Sequence, residues 1–305
     1  MRAATRRERS SRDERPGRGQ RGNTTQARRW PAAALCAANL LGAPLALGCA
    51  SAPPAPAAPG SSPAAAFPAG MKLVDLTHPF DEKTIYWPTE TPGFVLEKLH
   101  HGKTEGGYFY AANKITAPEH GGTHLDAPIH FAEGRSTADA VPLSRLIAPA
   151  AVIDVSEAAS ADPDARLSAA HVEDFERRHG RIEPGTIVLV RTGWAERWPD
   201  RKRYLGDDRP GDASNLHFPG VGEDGARALA ERKVAAVGID TASIDHGPSK
   251  DFIAHQVLNG ADIPIFENIA SMKDLPARGA LVIALPMKIG GGSGGPLRII
   301  AALPR

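Results

Sequence analysis

The chain has 305 residues, 42% of them hydrophobic and 23% charged, with a formal net charge of +1 at neutral pH. That length and apolar content suffice for a sizeable buried core, and the near-neutral balance argues against a polyanionic partner such as nucleic acid. Cys36 and Cys49 both lie near the N-terminus, so the rest of the chain has no thiol for a disulfide, a zinc–cysteine site or a cysteine nucleophile.

The balance conceals a division. The first thirty residues carry ten arginines, from Arg2 to Arg29, against Glu8, Asp13 and Glu14, a surplus of +7 that leaves −6 on the remainder. Residues 31–48 follow without a charge, rich in Ala and Leu, and the order basic, apolar, small is that of an export signal. At about 18 residues, interrupted by Asn39, Gly42 and Pro44, this stretch is short for a permanent membrane span. It closes on Ala46-Leu47-Gly48-Cys49 and leads into an uncharged Pro/Ala/Ser-rich run over 51–70, which resembles a bacterial lipoprotein signal with Cys49 as the lipidated residue and a tether behind it. The expected organisation is a leader over 1–50, a linker over 51–70 and one domain over 71–305. The expected location is extracytoplasmic, lipid-anchored to a bacterial membrane, with the cytoplasm as the alternative if the leader is not a signal.

From residue 71 onward, apolar and β-branched runs predict strands over 72–76, 109–116, 151–155, 186–191, 234–239, 280–285 and 297–302. Helical patterns lie between them: 168–178 with Ser168 as N-cap and Gly180 as stop, 223–233, rich in Ala, Leu and Glu, and 253–258 ahead of Asn259-Gly260. Strands outnumber helices, which predicts a single α/β domain with a mixed-sheet core and a few packed helices.

Residues 119–131 read EHGGTHLDAPIHF and set His120, His124, Asp126 and His130 at H-x-x-x-H-x-D-x-x-x-H spacing, among glycines and a proline that disfavour a helix. On an extended segment, His124 and Asp126 face the same way, and Gly121-Gly122 let His120 fold back to the same point. Imidazole nitrogen with carboxylate oxygen suits zinc, manganese or iron(II), whereas calcium or magnesium asks for more oxygen ligands. A polar surface loop would not explain the interleaved apolar residues. Far downstream, Glu267 follows the apolar run 263–266, at a sheet rim where a site would open. His255 lies on the short helix before it.

Three other segments attract attention. Residues 238–246 follow a strand and crowd Asp240, Thr241, Ser243, Asp245 and His246 together, either to orient ligands and substrate or as a turn that satisfies its own backbone; neither Asp240 nor His246 is assigned as a ligand. Residues 290–295, GGGSGG, fit both G-x-G-x-x-G and G-x-S-x-G, but only ten residues follow, too few for a dinucleotide unit and without the Asp and His of a triad. A flexible loop between two late strands is expected there. The basic patch of Arg197, Arg201, Lys202 and Arg203 is broken by Asp200, Asp207 and Asp208, which disfavours nucleic-acid binding.

In their order and spacing, DLTHP at 75–79, IYWP at 85–88, the 120–130 run, GIDTASID at 238–245 and the stretch 255–268 resemble the cyclase family of metal-dependent hydrolases, which includes bacterial kynurenine formamidase and isatin hydrolase. The resemblance covers nearly all of 71–305 and implies a swivelling β/β/α fold. It implies that His120, His124 and Asp126 bind a first divalent metal, with Asp126 also reaching a second that His255 completes and Glu267 touching both. His130 would be the catalytic acid/base and Trp87 the substrate-binding aromatic. Zn2+, as one or two ions, is the leading cofactor and Mn2+ the second candidate. The implied reaction is hydrolysis of the C–N bond of a small amide by a metal-activated hydroxide. N-Formylkynurenine, cleaved to kynurenine and formate in tryptophan catabolism, is the leading substrate, and a cyclic amide such as isatin the alternative. Expected partners are a small-molecule amide and other copies in a homo-oligomer. From another class, an extracytoplasmic metal- or solute-binding lipoprotein without turnover competes; His130 argues against it, because a storage site needs no acid/base beside its ligands.

Overall fold

The structure, a computed structural model, describes residues 70–304. The leader, Cys49 and all but the last residue of the expected linker lie outside the described residues. In chain order the strands are β1 (Met71–Asp75), β2 (Val95–Lys103), β3 (Phe109–Thr116), β4 (His124–Asp126), β5 (Ile147–Asp154), β6 (Arg166–Leu167), β7 (Ile187–Arg191), β8 (Gly220–Val221), β9 (Ala236–Ile239), β10 (Ile265–Glu267), β11 (Arg278–Pro286) and β12 (Gly294–Pro304). The helices are α1 (Leu143–Leu146), α2 (Ser156–Ala161), α3 (Ala169–His179), α4 (Arg201–Leu205), α5 (Glu223–Glu231) and α6 (Ile253–Gly260).

Eight strands make one mixed sheet in the order β1-β12-β11-β5-β7-β9-β10-β4. Strands β5, β7, β9 and β10 run parallel. Their composition explains this: Ile187, Val188, Leu189 and Val190 of β7 are all buried, the continuous apolar run that a parallel strand covered on both faces requires. Strands β1, β12, β11 and β5 pair antiparallel. The short β4 then pairs antiparallel with β10 and also with the start of β12, Gly294 opposite Asp126 and Pro296 opposite His124, so the sheet closes on itself. Closure leaves β4 no free edge and builds its three residues into the wall.

One face of the sheet buries Leu125, Val152, Leu189, Phe266, Val282 and Ile299. The other packs Ile153, Val188, Val190 and Val237 against Phe175 of α3, Leu229 of α5 and Leu258 of α6. Truncating one such residue to Ala costs about 2–5 kcal/mol, so both faces hold the wall that carries β4 and β10. Helix α3 starts at Ser168, whose backbone N–H donates to Nδ1 of His171 (3.0 Å), and stops at Gly180, at φ 83°. Arg232, at the end of α5, forks onto Glu176 of α3 at 2.7 and 2.9 Å and ties the two helices together.

The expected strands and the three longer helices are all present, the strand over 109–116 with the expected bounds and the others with shifted ends. Two differences have physical reasons. No strand is expected over Val95–Lys103, because β2 pairs only with β3 in a separate ribbon exposed on both faces, where neither alternation nor a continuous apolar run is imposed. Gly294 and Gly295, expected in a flexible loop, are instead the first residues of β12, fixed by their pairing with β4.

Candidate metal centre

The first ligand candidates owe their placement to two glycines. A Cβ at Gly121 would overlap the Tyr86 ring and one at Gly122 the Phe80 ring, so only glycine lets the chain turn this tightly ahead of β4. The turn brings His120 back so that its Nδ1 lies 2.6 Å from Oδ1 of Asp126. Within extended β4, Nε2 of His124 lies 3.1 Å from the same oxygen. Nδ1 of His124 lies 2.9 Å from Gly122 O, a bond in which it must donate, so Nε2 is the nitrogen that faces inward.

The second group arrives through the sheet. Pairing of β10 with β4 sets Glu267 opposite His124, with Oε2 3.5 Å from Nε2. Helix α6 adds His255, whose Nε2 lies 3.2 Å from Oε1 of Glu267 and 3.4 Å from Oδ2 of Asp126. The result is two overlapping sets, His120/His124/Asp126 and Asp126/His255/Glu267, with the ligand atoms of each within 4.8 Å of one another. Asp126 belongs to both and turns one oxygen towards each.

Four of these residues, His124, Asp126, His255 and Glu267, are only 1–4% exposed, and among the described residues no Lys or Arg lines the cavity they face. Burial and the charge of Asp126 push the Glu267 carboxyl above its usual range. Burial would raise Asp126 too, but the surrounding histidines outweigh it and hold the carboxyl well below. Burial would lower His124, but Asp126 and Glu267 push it up to about 9, and His255 is likewise raised well above the ordinary imidazole value. Among the described residues, the charge of this buried acidic pair is thus offset chiefly by the imidazoles of His124 and His255. The donor set fits a divalent cation: nitrogen and oxygen ligands of the kind zinc, manganese or iron(II) takes, in a pocket whose compensating protons a dication would displace.

His130 belongs to neither ligand set. Its ring stacks on His120 with centroids 3.8 Å apart and sits 5.8 Å from His255. Burial pushes it down to about 4, so the imidazole is neutral at ordinary pH. A cavity of about 220 Å³ opens over the cluster, with Trp87, Phe131 and Phe252 in its wall. Trp87 meets Phe218 and Phe252 edge-on, at 6.4 and 6.2 Å, and so serves at once as cavity wall and as packing.

The 238–246 segment divides. Asp240 accepts hydrogen bonds from Thr192 N, Thr192 Oγ1 and Trp194 N (2.8, 2.7 and 3.1 Å) and is a structural residue. Asp245 lies behind His255, 2.7 Å from its Nδ1, and Ile244 N donates to Oε1 of Glu267 at 2.6 Å. The basic patch serves packing: Arg197 lies over the Trp194 ring, and Arg201 donates to Tyr86 O. Phe131 and Phe252 in the cavity wall, and Glu119 and Ser293 beside His120, are functional-site residues that the sequence does not mark out. The signals were faint: an aromatic after His130, one before α6, and an acid and a serine beside features read for other reasons.

A buried nitrogen–oxygen donor cluster beneath an aromatic-walled cavity, on a closed mixed sheet, is an arrangement suited to metal-dependent hydrolysis. The chain belongs to the cyclase family, whose model, described as "Putative cyclase", matches residues 74–246. It is 34% identical over 223 residues to the isatin hydrolase of Roseibium aggregatum, across 70% of this chain and 83% of that one. It is 30% identical over 230 residues to the kynurenine formamidase of Sphingopyxis alaskensis, across 75% of this chain and 97% of that one. The solved structure of an isatin hydrolase bound to the product analogue thioisatinate matches with a TM-score of 0.72 at 32% identity, covering 79% of this chain and 96% of that one. The expected α/β fold with its mixed sheet is the fold of these relatives.

Proposed function

We propose that this hydrolase cleaves the C–N bond of a small aromatic amide, with a neutral cyclic amide of the isatin type favoured over N-formylkynurenine. The observation that carries the reading is the cavity lining, in which aromatic rings face the ligand cluster and, among the described residues, there is no Lys or Arg. N-Formylkynurenine brings a carboxylate, and burying one without a cationic partner costs several kcal/mol; isatin brings none. The greater identity to an isatin hydrolase supports the same order. Glu90, also in the lining, supports N-formylkynurenine as the second reading, because it can meet that substrate's ammonium group.

His120, His124 and Asp126 would hold one ion, and Asp126, His255 and Glu267 a second where two are bound, with Zn2+ the leading candidate and Mn2+ next. Bound there, a divalent ion supplies Lewis acidity, lowering the pKa of water from about 16 towards about 7 and polarising an amide carbonyl. His130, held neutral by burial, accepts a proton from the attacking water on an imidazole nitrogen and returns it to the leaving nitrogen. Phe131, Phe252 and Trp87 flank the planar substrate and exclude bulk water.

Elemental analysis of the purified full chain, with isatin and N-formylkynurenine assayed side by side, tests this. Faster turnover of isatin supports the reading, and turnover of N-formylkynurenine alone reverses the order. Bound metal with turnover of neither favours the non-catalytic binding protein.

We also propose that the leader directs export and that Cys49 carries a lipid anchor; palmitate incorporation surviving Cys49→Ser would remove that assignment. Among the described residues, no helix is long and apolar enough to cross a membrane. The β2–β3 ribbon supports a homo-oligomer, because a lone two-stranded ribbon is marginal in water and Leu96, Leu99, Phe109, Tyr110 and Ile115 stand exposed on it. A monomeric mass by light scattering would reject assembly.

A further inference from the structure

We propose that Glu119 and Ser293 form a positioning relay that fixes the ring of His120 and turns its Nδ1 towards the metal centre. The relay rests on the reading of His120 as a ligand. Oγ of Ser293 lies 2.9 Å from Nε2 of His120 and 2.6 Å from Oε2 of Glu119, and the backbone N–H of Ser293 donates to that same carboxylate oxygen at 3.0 Å.

Counting protons sets the direction of the chain. A serine hydroxyl has one proton, and an ionised carboxylate only accepts, so the hydroxyl proton goes to Glu119 and the hydroxyl oxygen accepts from His120. Nε2 of His120 therefore carries a hydrogen. Its other nitrogen, Nδ1, 2.6 Å from Oδ1 of Asp126, is left as the ligand atom. This is opposite to His124 and His255, which present Nε2 and are held from behind at Nδ1 by Gly122 O and by Asp245. Each of the three imidazoles thus has an oxygen acceptor behind it, the arrangement that orients metal-ligating histidines and raises their basicity. For His120 the acceptor is a hydroxyl, itself held by a carboxylate. The same direction of donation means that the imidazole does not act as a base towards Ser293, so the G-x-S-x-G match is no nucleophile.

The glycine-rich segment serves this contact. A Cβ at Gly292 would come within 2.7 Å of Oε1 of Glu119, and one at Gly294 within 2.6 Å of Cε1 of His120, so glycines on both sides let Ser293 approach. The segment is pinned as well: Ser293 O accepts from Ala127 N (2.8 Å), Gly292 O accepts from Ala138 N (2.9 Å), and Gly291 N donates to Asp139 (2.9 Å).

The test is a zinc titration of the full chain, stripped of metal by a chelator, against a competing fluorescent indicator, with thermal unfolding of the metal-free protein alongside. Ser293→Val and Ser293→Thr have the same bulk and differ only in the hydroxyl. The relay predicts zinc binding about 10–100-fold weaker in the Val variant, recovery towards wild type in the Thr variant, and matching metal-free melting temperatures for the two. Glu119→Ala, which leaves the loop sequence intact, is expected to lose affinity similarly, and Glu119→Gln to lose less. Equal zinc affinity in the Val and Thr variants would overturn the relay, as would an affinity loss that merely follows a drop in metal-free stability. His120→Ala separates the two levels. If it binds zinc like wild type, the ligand reading itself fails; if it loses zinc while Ser293→Val does not, only the relay fails.

Discussion

Asp245 and His255 are joined twice. One carboxylate oxygen of Asp245 lies 2.7 Å from Nδ1 of His255 and accepts from its backbone N–H at 3.1 Å, while the other accepts from Ala254 N at 2.9 Å. Helix α6 begins after Phe252, at φ 51°, with no side-chain cap of its own. A carboxylate from the preceding loop therefore satisfies the first turn of the helix and sets the ring of a ligand candidate in one contact.

Asp245→Ala is accordingly expected to lower two quantities together: stability by about 1–3 kcal/mol and zinc affinity by about 10–100-fold. Asp245→Asn keeps an oxygen for the helix and should recover more of the stability than of the affinity. Denaturant unfolding of the metal-free protein and zinc titration measure the two. A variant that loses stability but binds zinc unchanged would show that the contact is a cap and nothing more.

His130→Ala should retain its metal and lose about two to four orders of magnitude in kcat/KM, the usual contribution of a general acid/base. Elemental analysis beside steady-state kinetics checks this. Loss of metal in the variant would move His130 into the ligand set.

Zinc binding should release protons. In the metal-free cluster His124 is pushed up to about 9 and His255 is also raised, so both are protonated at neutral pH and an arriving cation must displace those protons. Apparent affinity then rises with pH through neutrality. Calorimetric titration at pH 7 in buffers of different ionisation enthalpy should give different observed heats; identical heats would mean that no proton leaves.

The Glu176–Arg232 fork predicts a pH-dependent increment of stability away from the site. Hydrogen bonds from Arg232, helped by Ile182 N, pull Glu176 down to about 2 against burial, and both side chains are 19% exposed. Because the folded value lies below the ordinary 4.5, the increment is complete above that pH and is lost as pH falls from there towards 2. Glu176→Gln should therefore be less stable than wild type by about 1–2 kcal/mol at pH 6, and the gap should close near pH 2. Urea unfolding at both values tests it, and a constant gap would assign the effect to shape rather than charge.

What could be read from the sequence follows the range of the interactions involved. His120, His124 and Asp126 lie on one turn and one strand, with His130 on the single helical turn of Pro128–His130 just beyond, so their spacing alone implies a shared point, and they do converge. The buried strand β7 announces itself because both its faces are apolar. For Glu267 the only local mark is the apolar run before it, and His255 has none beyond its short helix; their meeting with Asp126 depends on the pairing of β10 with β4 and on the packing of α6, so their role as ligands is legible only through the family resemblance. The Glu119–Ser293 contact spans 174 residues and ends in a segment whose glycines read as looseness, although they permit close approach. Helices α1, α2 and α4 run four to six residues, too short for a hydrophobic period to establish itself.

The pairing of β4 with residues 294–296 of β12 has a consequence for timing. A polypeptide still being synthesised, and shorter than this, already has all the histidines but lacks the last stave that holds His124 and Asp126 in place. Contacts between such distant parts of a chain form late in folding. A complete ligand cage therefore waits on residues 294–296 reaching β4, so a cation would find its full set of partners only once that long-range pairing is made, not when the local histidine run first forms.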